Sequence, residues 1–303
     1  MIDWKYFVLN VGSVLALNRD CRLRFGPAGK PIKFKGKPEN VPKFLREIGL
    51  DAYEYQAVRG VKISREKAER LGENAREFDV ELSLHAPYYI NLCSTDDSIL
   101  NSSKERLLSA LRAANWMGAL IVVFHPGYYG KLGKDEALQL CIKSLSEVIE
   151  RAKSEGLLEG VYLSPETTGK VKQLGDLDEI LTICESLDHV VPTVDWAHIH
   201  ARGQGAITSK EDYSRILMEI ERRLGGKVVD ELHVHFTKVS FGSGGELSHF
   251  PLESLEHGPD FNPLAELIVE NDYRFTIISE SPLLEDDALM MKRAVEELRA
   301  GKN

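Results

Sequence analysis

Gly160-Val161-Tyr162-Leu163-Ser164-Pro165-Glu166-Thr167-Thr168 is a short apolar run bounded by glycine and proline. Such a run reads as a buried strand, and it delivers the carboxylate of Glu166 where the strand gives way to polar loop. The pattern recurs. His85 closes Val80–Leu84, His125 closes Leu120–Phe124, Asp195 closes Val190–Val194, His233 lies within Glu231–Lys238, and Glu280 closes Phe275–Ser279. These six positions are spaced roughly 30–50 residues apart, the length of one strand, one helix and two loops. A chemistry-bearing side chain therefore recurs once per βα unit.

Between the strands a helical period takes over. Val41–Ile48 reads as a helix and Ala52–Val58 as the second strand; Ser64 then caps a helix that aligns Ala68, Leu71, Ala75 and Phe78 on one face. Ser102 with Glu105 predicts a capping box for the next helix, whose stripe is Leu107, Leu108, Leu111 and Ala114. Asp135–Ala152, Leu177–Ser186, Glu211–Leu224, Pro263–Val269 and Asp286–Arg299 continue the series. Cys21–Phe25 supplies the first strand, so residues 1–20 are expected to be an extension or an added strand and 21–303 one catalytic domain.

Eight strands each followed by a helix, without a linker-like break, predict a single-domain (β/α)8 TIM barrel. Its strands end on a common rim, where residues distant in sequence meet. An open doubly wound sheet is the alternative, but it would spread the six positions along an edge.

Bulk properties narrow the function classes. The 303 residues are 43% hydrophobic and 28% charged, as in ordinary soluble domains. No apolar run approaches the roughly 18 residues of a membrane span, and Tyr6–Leu17, interrupted by Asn10, Gly12 and Ser13, does not read as a secretory signal. Four cysteines without a CxxC pair read as reduced thiols of a cytoplasmic protein. The net charge of −9 argues against a chain coated for nucleic acid, although it leaves room for a local basic rim. Lys30–Lys37, with four lysines, reads as a solvated loop rather than a substrate-binding one. The expected assembly is a monomer.

Any one of the six residues alone has an ordinary explanation as a helix cap or a hydrogen-bonded histidine. Six on successive strands of one barrel do not. Several carboxylates gathered in a cleft are costly unless cations neutralise them, which points to a multinuclear metal site bridged by Glu166. Imidazole and carboxylate without thiolate suit zinc, with manganese or iron admitted by ligand type.

Leu84-His85-Ala86-Pro87-Tyr88-Tyr89-Ile90-Asn91-Leu92, Phe124-His125-Pro126-Gly127, Pro165-Glu166-Thr167-Thr168, Asp195-Trp196-Ala197-His198 and Ser279-Glu280-Ser281-Pro282 follow the order and spacing of one family. From about residue 22 to residue 298 the chain resembles the endonuclease IV family, zinc-dependent apurinic/apyrimidinic endonucleases on a TIM barrel. The resemblance implies two or three zinc ions. It implies that His85, His125 and Glu166 hold one, that Glu166 bridges to a second held by Asp195, His233 and Glu280, and that His198 serves a third. It also implies hydrolysis of duplex DNA 5′ to an abasic sugar, leaving a 3′-hydroxyl, without a protein nucleophile.

The chain departs from the family at the third ion. Bacterial members carry Asp-x-His, whereas here Phe241-Gly242-Ser243 precedes Glu246-Leu247-Ser248-His249, so Glu246 and His249 are the expected pair. On the seventh strand His233 and His235 point to the same side. Counting back from Lys238 and Phe241 selects His233, with His235 the alternative. His189 reads as structural, and His200 and His257 as loop residues.

Tyr88 and Arg59 are the expected DNA contacts, although the sequence around Arg59 differs from the bacterial pattern. The competing function is a metal-dependent sugar isomerase or epimerase on the same kind of barrel. A binding protein without turnover is a third reading, disfavoured by the six candidates.

Overall fold

Isoleucine, valine and phenylalanine fill Ile121–Phe124, and all four residues are buried, as expected of a strand covered on both faces. It is β4 of eight parallel barrel strands. The others are β1 (Arg24–Pro27), β2 (Ala52–Gln56), β3 (Glu81–His85), β5 (Tyr162–Pro165), β6 (Thr193–Asp195), β7 (His233–Phe236) and β8 (Thr276–Ser279). β2-β3-β4-β5 form one four-stranded sheet and β1-β8-β7-β6 the other. Isolated bridges Ala28–Glu54 and Glu166–Thr193 join their edges and close the expected (β/α)8 barrel. This computed structural model describes residues 22–301. The extension or added strand expected at 1–20, and Cys21 of the expected first strand, lie outside the described residues.

The helices lie close to their sequence-based ranges: α1 (Val41–Glu47), α2 (Arg65–Glu77), α3 (Asp97–Met117), α4 (Lys134–Ser154), α5 (Leu177–Ser186), α6 (Trp196–Arg202), α7 (Lys210–Leu224), the short α8 (Gly226–Asp230), α9 (Asn262–Asn271) and α10 (Glu285–Ala300). Ser64 caps α2 as expected, accepting from the Lys67 amide. The stripes of α2, α3 and α4 pack inward through Leu71, Leu108, Leu111, Leu145 and Val148, all buried in one core.

Two local readings are corrected. Ser102 and Glu105 do not begin α3, because Asp96 captures the chain earlier: its Oδ1 accepts from the Ser98 amide at 2.8 Å and the Ile99 amide at 3.2 Å. Glu105, left on the helix surface, pairs with Arg151. His200 is not in a loop but in α6, a helix capped by the carboxylate that ends β6.

Beyond the strand ends, two ribbons build up the rim. One pairs Lys238–Gly242 with Gly245–Phe250, the other Gly127–Tyr128 with Gln173–Leu174. Cys93, Cys141 and Cys184 are buried free thiols. Among the described residues no helix is long and apolar enough to cross a membrane.

Candidate metal centre

Glu166 leaves β5 fully buried, and imidazoles face both of its oxygens. His85 Nε2 lies 3.2 Å and His125 Nε2 2.9 Å from Oε2, while His198 Nδ1 at 3.2 Å and His235 Nδ1 at 3.1 Å face Oε1. The His85 ring is turned by its Nδ1, which donates to the Ala86 carbonyl at 2.8 Å and leaves Nε2 for the cluster.

Asp195 ends β6 and has two tasks. Its Oδ1 caps α6 by accepting from the His198 amide at 2.7 Å, and its buried Oδ2 has no hydrogen-bond partner. Glu280, just past β8, brings Oε1 to 3.3 Å from His235 Nδ1. Donor atoms of Glu166, Asp195, His235 and Glu280 lie within 4.8 Å of one another, and so do those of His85, His125 and Glu166.

The third expected group also assembles. His198 Nδ1 donates to the Thr167 carbonyl at 2.8 Å, so Nε2 faces outward to Glu246 Oε2 at 3.1 Å. His249 Nε2 meets Glu246 Oε1 at 3.1 Å. The altered spacing is absorbed by the ribbon, whose register shifts between Ser240 and Phe241. Gly169 makes room: a Cβ there would stand 2.7 Å from Glu246 Cβ and 2.9 Å from His198 Cδ2. We expect Gly169→Ala to displace this group alone. Elemental analysis of metal-loaded protein should then show one ion fewer per chain than in the wild type.

His233 is not where the sequence placed it. β6 and β7 pair Asp195 with His235 and Thr193 with His233, so His235 shares the barrel layer of the metal-ligand candidates. Two residues earlier along the strand is about 6–7 Å deeper, and there His233 Nε2 meets Glu54 at 3.0 Å. Glu54 was not singled out from the sequence because it sits within β2 rather than at its end. Its signal was the alternation Ala52, Glu54, Gln56 against Tyr53 and Tyr55, which turns a carboxylate inward.

Tyr88 lines the mouth, its ring centroid 5.1 Å from that of His85 and 5.4 Å from that of His125. Arg59 is exposed in the turn after β2. His257 stacks on Phe250 in the rim loop, with centroids 3.7 Å apart.

The electrostatics are those of anions waiting for cations. Burial disfavours charge on Glu166, yet the His125 and His235 imidazoles hold its carboxyl well below the ordinary range. Burial likewise opposes charge on His235, but Glu54, Glu280 and Glu166 hold it well above its usual value. Burial, only partly offset by His198 and reinforced by Glu280 and Glu166, pushes Asp195 up to about 7. Against its burial, Glu246 draws His249 up to about 9. Protons thus take the positions that cations would neutralise.

Over residues 42–300 the chain matches the family model described as xylose isomerase-like TIM barrel. An uncharacterized protein of Methanocaldococcus jannaschii is 34% identical over 282 residues, covering 93% of this chain and 100% of that protein. A probable endonuclease 4 of Aquifex aeolicus is 26% identical over 209 residues, covering 66% of this chain and 72% of its own. A solved D-tagatose 3-epimerase-like protein has a TM-score of 0.63 at 22% identity, covering 86% of this chain and 93% of that one.

Proposed function

The chain belongs to the xylose isomerase-like TIM barrel family, and from that premise we propose that it is a metal-dependent phosphodiesterase acting on duplex DNA at abasic sites. The observation that carries this reading is the pair of Glu166 oxygens, each faced by its own imidazoles, beside three of the four groups of metal-competent donors among the described residues. The residues fit metal ions. All donors are imidazole or carboxylate, the set suited to zinc and, by ligand type, manganese or iron. The buried Asp195 Oδ2 also lacks a hydrogen-bond partner. His85, His125 and Glu166 would hold one ion; Glu166, Asp195, His235 and Glu280 a second; His198, Glu246 and His249 a third. When bound, such ions supply Lewis acidity toward a phosphoryl group and make water a better nucleophile.

The remaining work falls to the chain. Burial and the nearby carboxylates keep the Tyr88 phenol protonated, so it can donate a hydrogen bond to a phosphate oxygen at the mouth. Exposed Ile32, Tyr89 and Val171 sit on loops that follow barrel strands, and exposed Tyr128 and Leu247 on the two rim ribbons, around the same mouth. Rings presented there suit stacking against unpaired bases. Exposed Lys62, Lys170 and Lys172 on the loops after β2 and β5 offer phosphate contacts on one side of the rim, while Glu253, Glu256 and Asp260 are exposed on the loop after β7. The likeness to the Aquifex aeolicus protein supports the same substrate class.

Purified protein is expected to hold at least two transition-metal ions by elemental analysis and to nick duplex DNA containing a tetrahydrofuran abasic analogue. One ion or none would undermine the reading. Full occupancy without nicking would favour the second reading, a sugar isomerase or epimerase, for which the overall negative charge speaks.

A further inference from the structure

Glu54 lies beneath the metal-ligand candidates, fully buried in the barrel, and takes no part in the chemistry above. Its Oε2 has three neighbours at hydrogen-bond distance: Ser83 Oγ at 3.0 Å, His233 Nε2 at 3.0 Å and His235 Nε2 at 3.1 Å. Its Oε1 accepts from Gln56 Nε2 at 2.9 Å. An ionised carboxylate only accepts, so both imidazoles meet it through protonated Nε2 atoms.

This settles which nitrogen of His235 is available. With Nε2 donating to Glu54, the neutral ring has its lone pair on Nδ1, and Nδ1 faces Glu166 at 3.1 Å, Glu280 at 3.3 Å and Asp195 at 4.0 Å. We propose that Glu54 is a positioning residue that holds His235 in the tautomer and orientation in which Nδ1 serves the Glu166–Asp195–Glu280 ion. The arrangement is a carboxylate–histidine–metal relay built across the barrel from β2 to β7.

Glu54, His233 and His235 also come close enough together to suggest an ion of their own. The tautomers argue otherwise. His233 Nδ1 is buried without a hydrogen-bond partner. Ligation through Nε2 would place the proton on Nδ1 and leave a buried donor with nothing to accept it, whereas donation from Nε2 to Glu54 leaves only an empty acceptor. The inner group is therefore a hydrogen-bonded cradle, and His233 helps to fix the Glu54 carboxylate.

This inference rests on the metal-binding half of the proposed function and not on its substrate. Zinc affinity, measured by competition with a chromophoric chelator, is compared in the wild type, Glu54→Met and Glu54→Gln. Methionine fills the space but accepts no proton, and we expect affinity for one ion to fall by roughly 10–100-fold. Glutamine keeps an acceptor oxygen and should restore affinity to within about threefold of the wild type, since the tautomer needs only an acceptor. Histidine ¹⁵N spectra of the zinc-loaded wild type should show His235 protonated at Nε2 and bound through Nδ1, a readout that holds even if Glu54→Met does not fold. Unchanged affinity in a folded Glu54→Met protein, or a His235 proton on Nδ1, overturns the inference. A wild type that binds no zinc overturns the metal reading itself, so the two failures are distinguishable.

Discussion

Glu166→Gln is expected to reduce nicking by about 10³-fold or more and to lower the metal content by at least one ion per chain. Glutamine matches glutamate in shape but replaces one ligating oxygen with an amide nitrogen that cannot bind a cation. Whichever way the amide turns, one of the two sites loses its shared ligand: that of His85 and His125, or that of Asp195, His235 and Glu280. The remaining candidates keep their places, because His85 is held through Ala86 and His198 through Thr167. Activity on the abasic analogue and elemental analysis after exhaustive dialysis test this together. Near-normal turnover with full metal content would show that Glu166 bridges nothing.

The other large effect concerns acidity in the metal-free protein. His249 has a folded value of about 9 against an ordinary 6.5, so its contribution to stability is fully present below pH 6.5 and is lost as pH rises through 9. Asp195, raised from 3.8 to about 7, loses its contribution in the same direction at lower pH. On the acid side, the lowered carboxyls of Glu166 and Glu246 contribute stability present above pH 4.5 and lost as pH falls. Chelator-treated protein should therefore be most stable at mildly acidic pH. For His249 alone the loss toward pH 9 is roughly 3 kcal/mol, or about 5–10 °C in melting temperature. Metal-loaded protein should show the opposite trend relative to the apo form, because ions compete with those same protons and bind more tightly as pH rises. Calorimetry of both forms at pH 6 and pH 9 makes the comparison. Equal melting temperatures for the chelator-treated protein at the two values would mean that Glu246 and His249 are not paired as described.

Much of this architecture was legible in the sequence because it follows from local pattern. Buried strands such as Ile121–Phe124 advertise themselves as apolar runs, and the residue after each run is placed on the rim by the barrel itself. What local pattern does not encode is depth along the barrel axis. His233 and His235 share a face, so alternation alone could not rank them; pairing with β6 did so by setting His235 beside Asp195. Glu54 escaped for a related reason, since a carboxylate inside a strand is detectable only by asking which face it occupies. The start of α3 was misplaced because two good capping sequences compete within six residues, and Asp96 lies ahead of Ser102. Glu246 and His249, by contrast, meet His198 despite their unusual spacing, because the bulged ribbon absorbs the extra residue.

The closure of the barrel has a mechanical side. Its two four-stranded arcs meet along seams paired only through isolated bridges, Ala28–Glu54 on one side and Leu163–Val190 with Glu166–Thr193 on the other. His85, His125 and Glu166 ride on one arc, and Asp195, His235 and Glu280 on the other. An ion held by Glu166 from one arc and by Asp195, His235 and Glu280 from the other would act as a rivet across the seam. Removing that ion should quicken amide exchange first at Leu163, Val191 and Thr167, whose N–H groups span the seam beside Glu166.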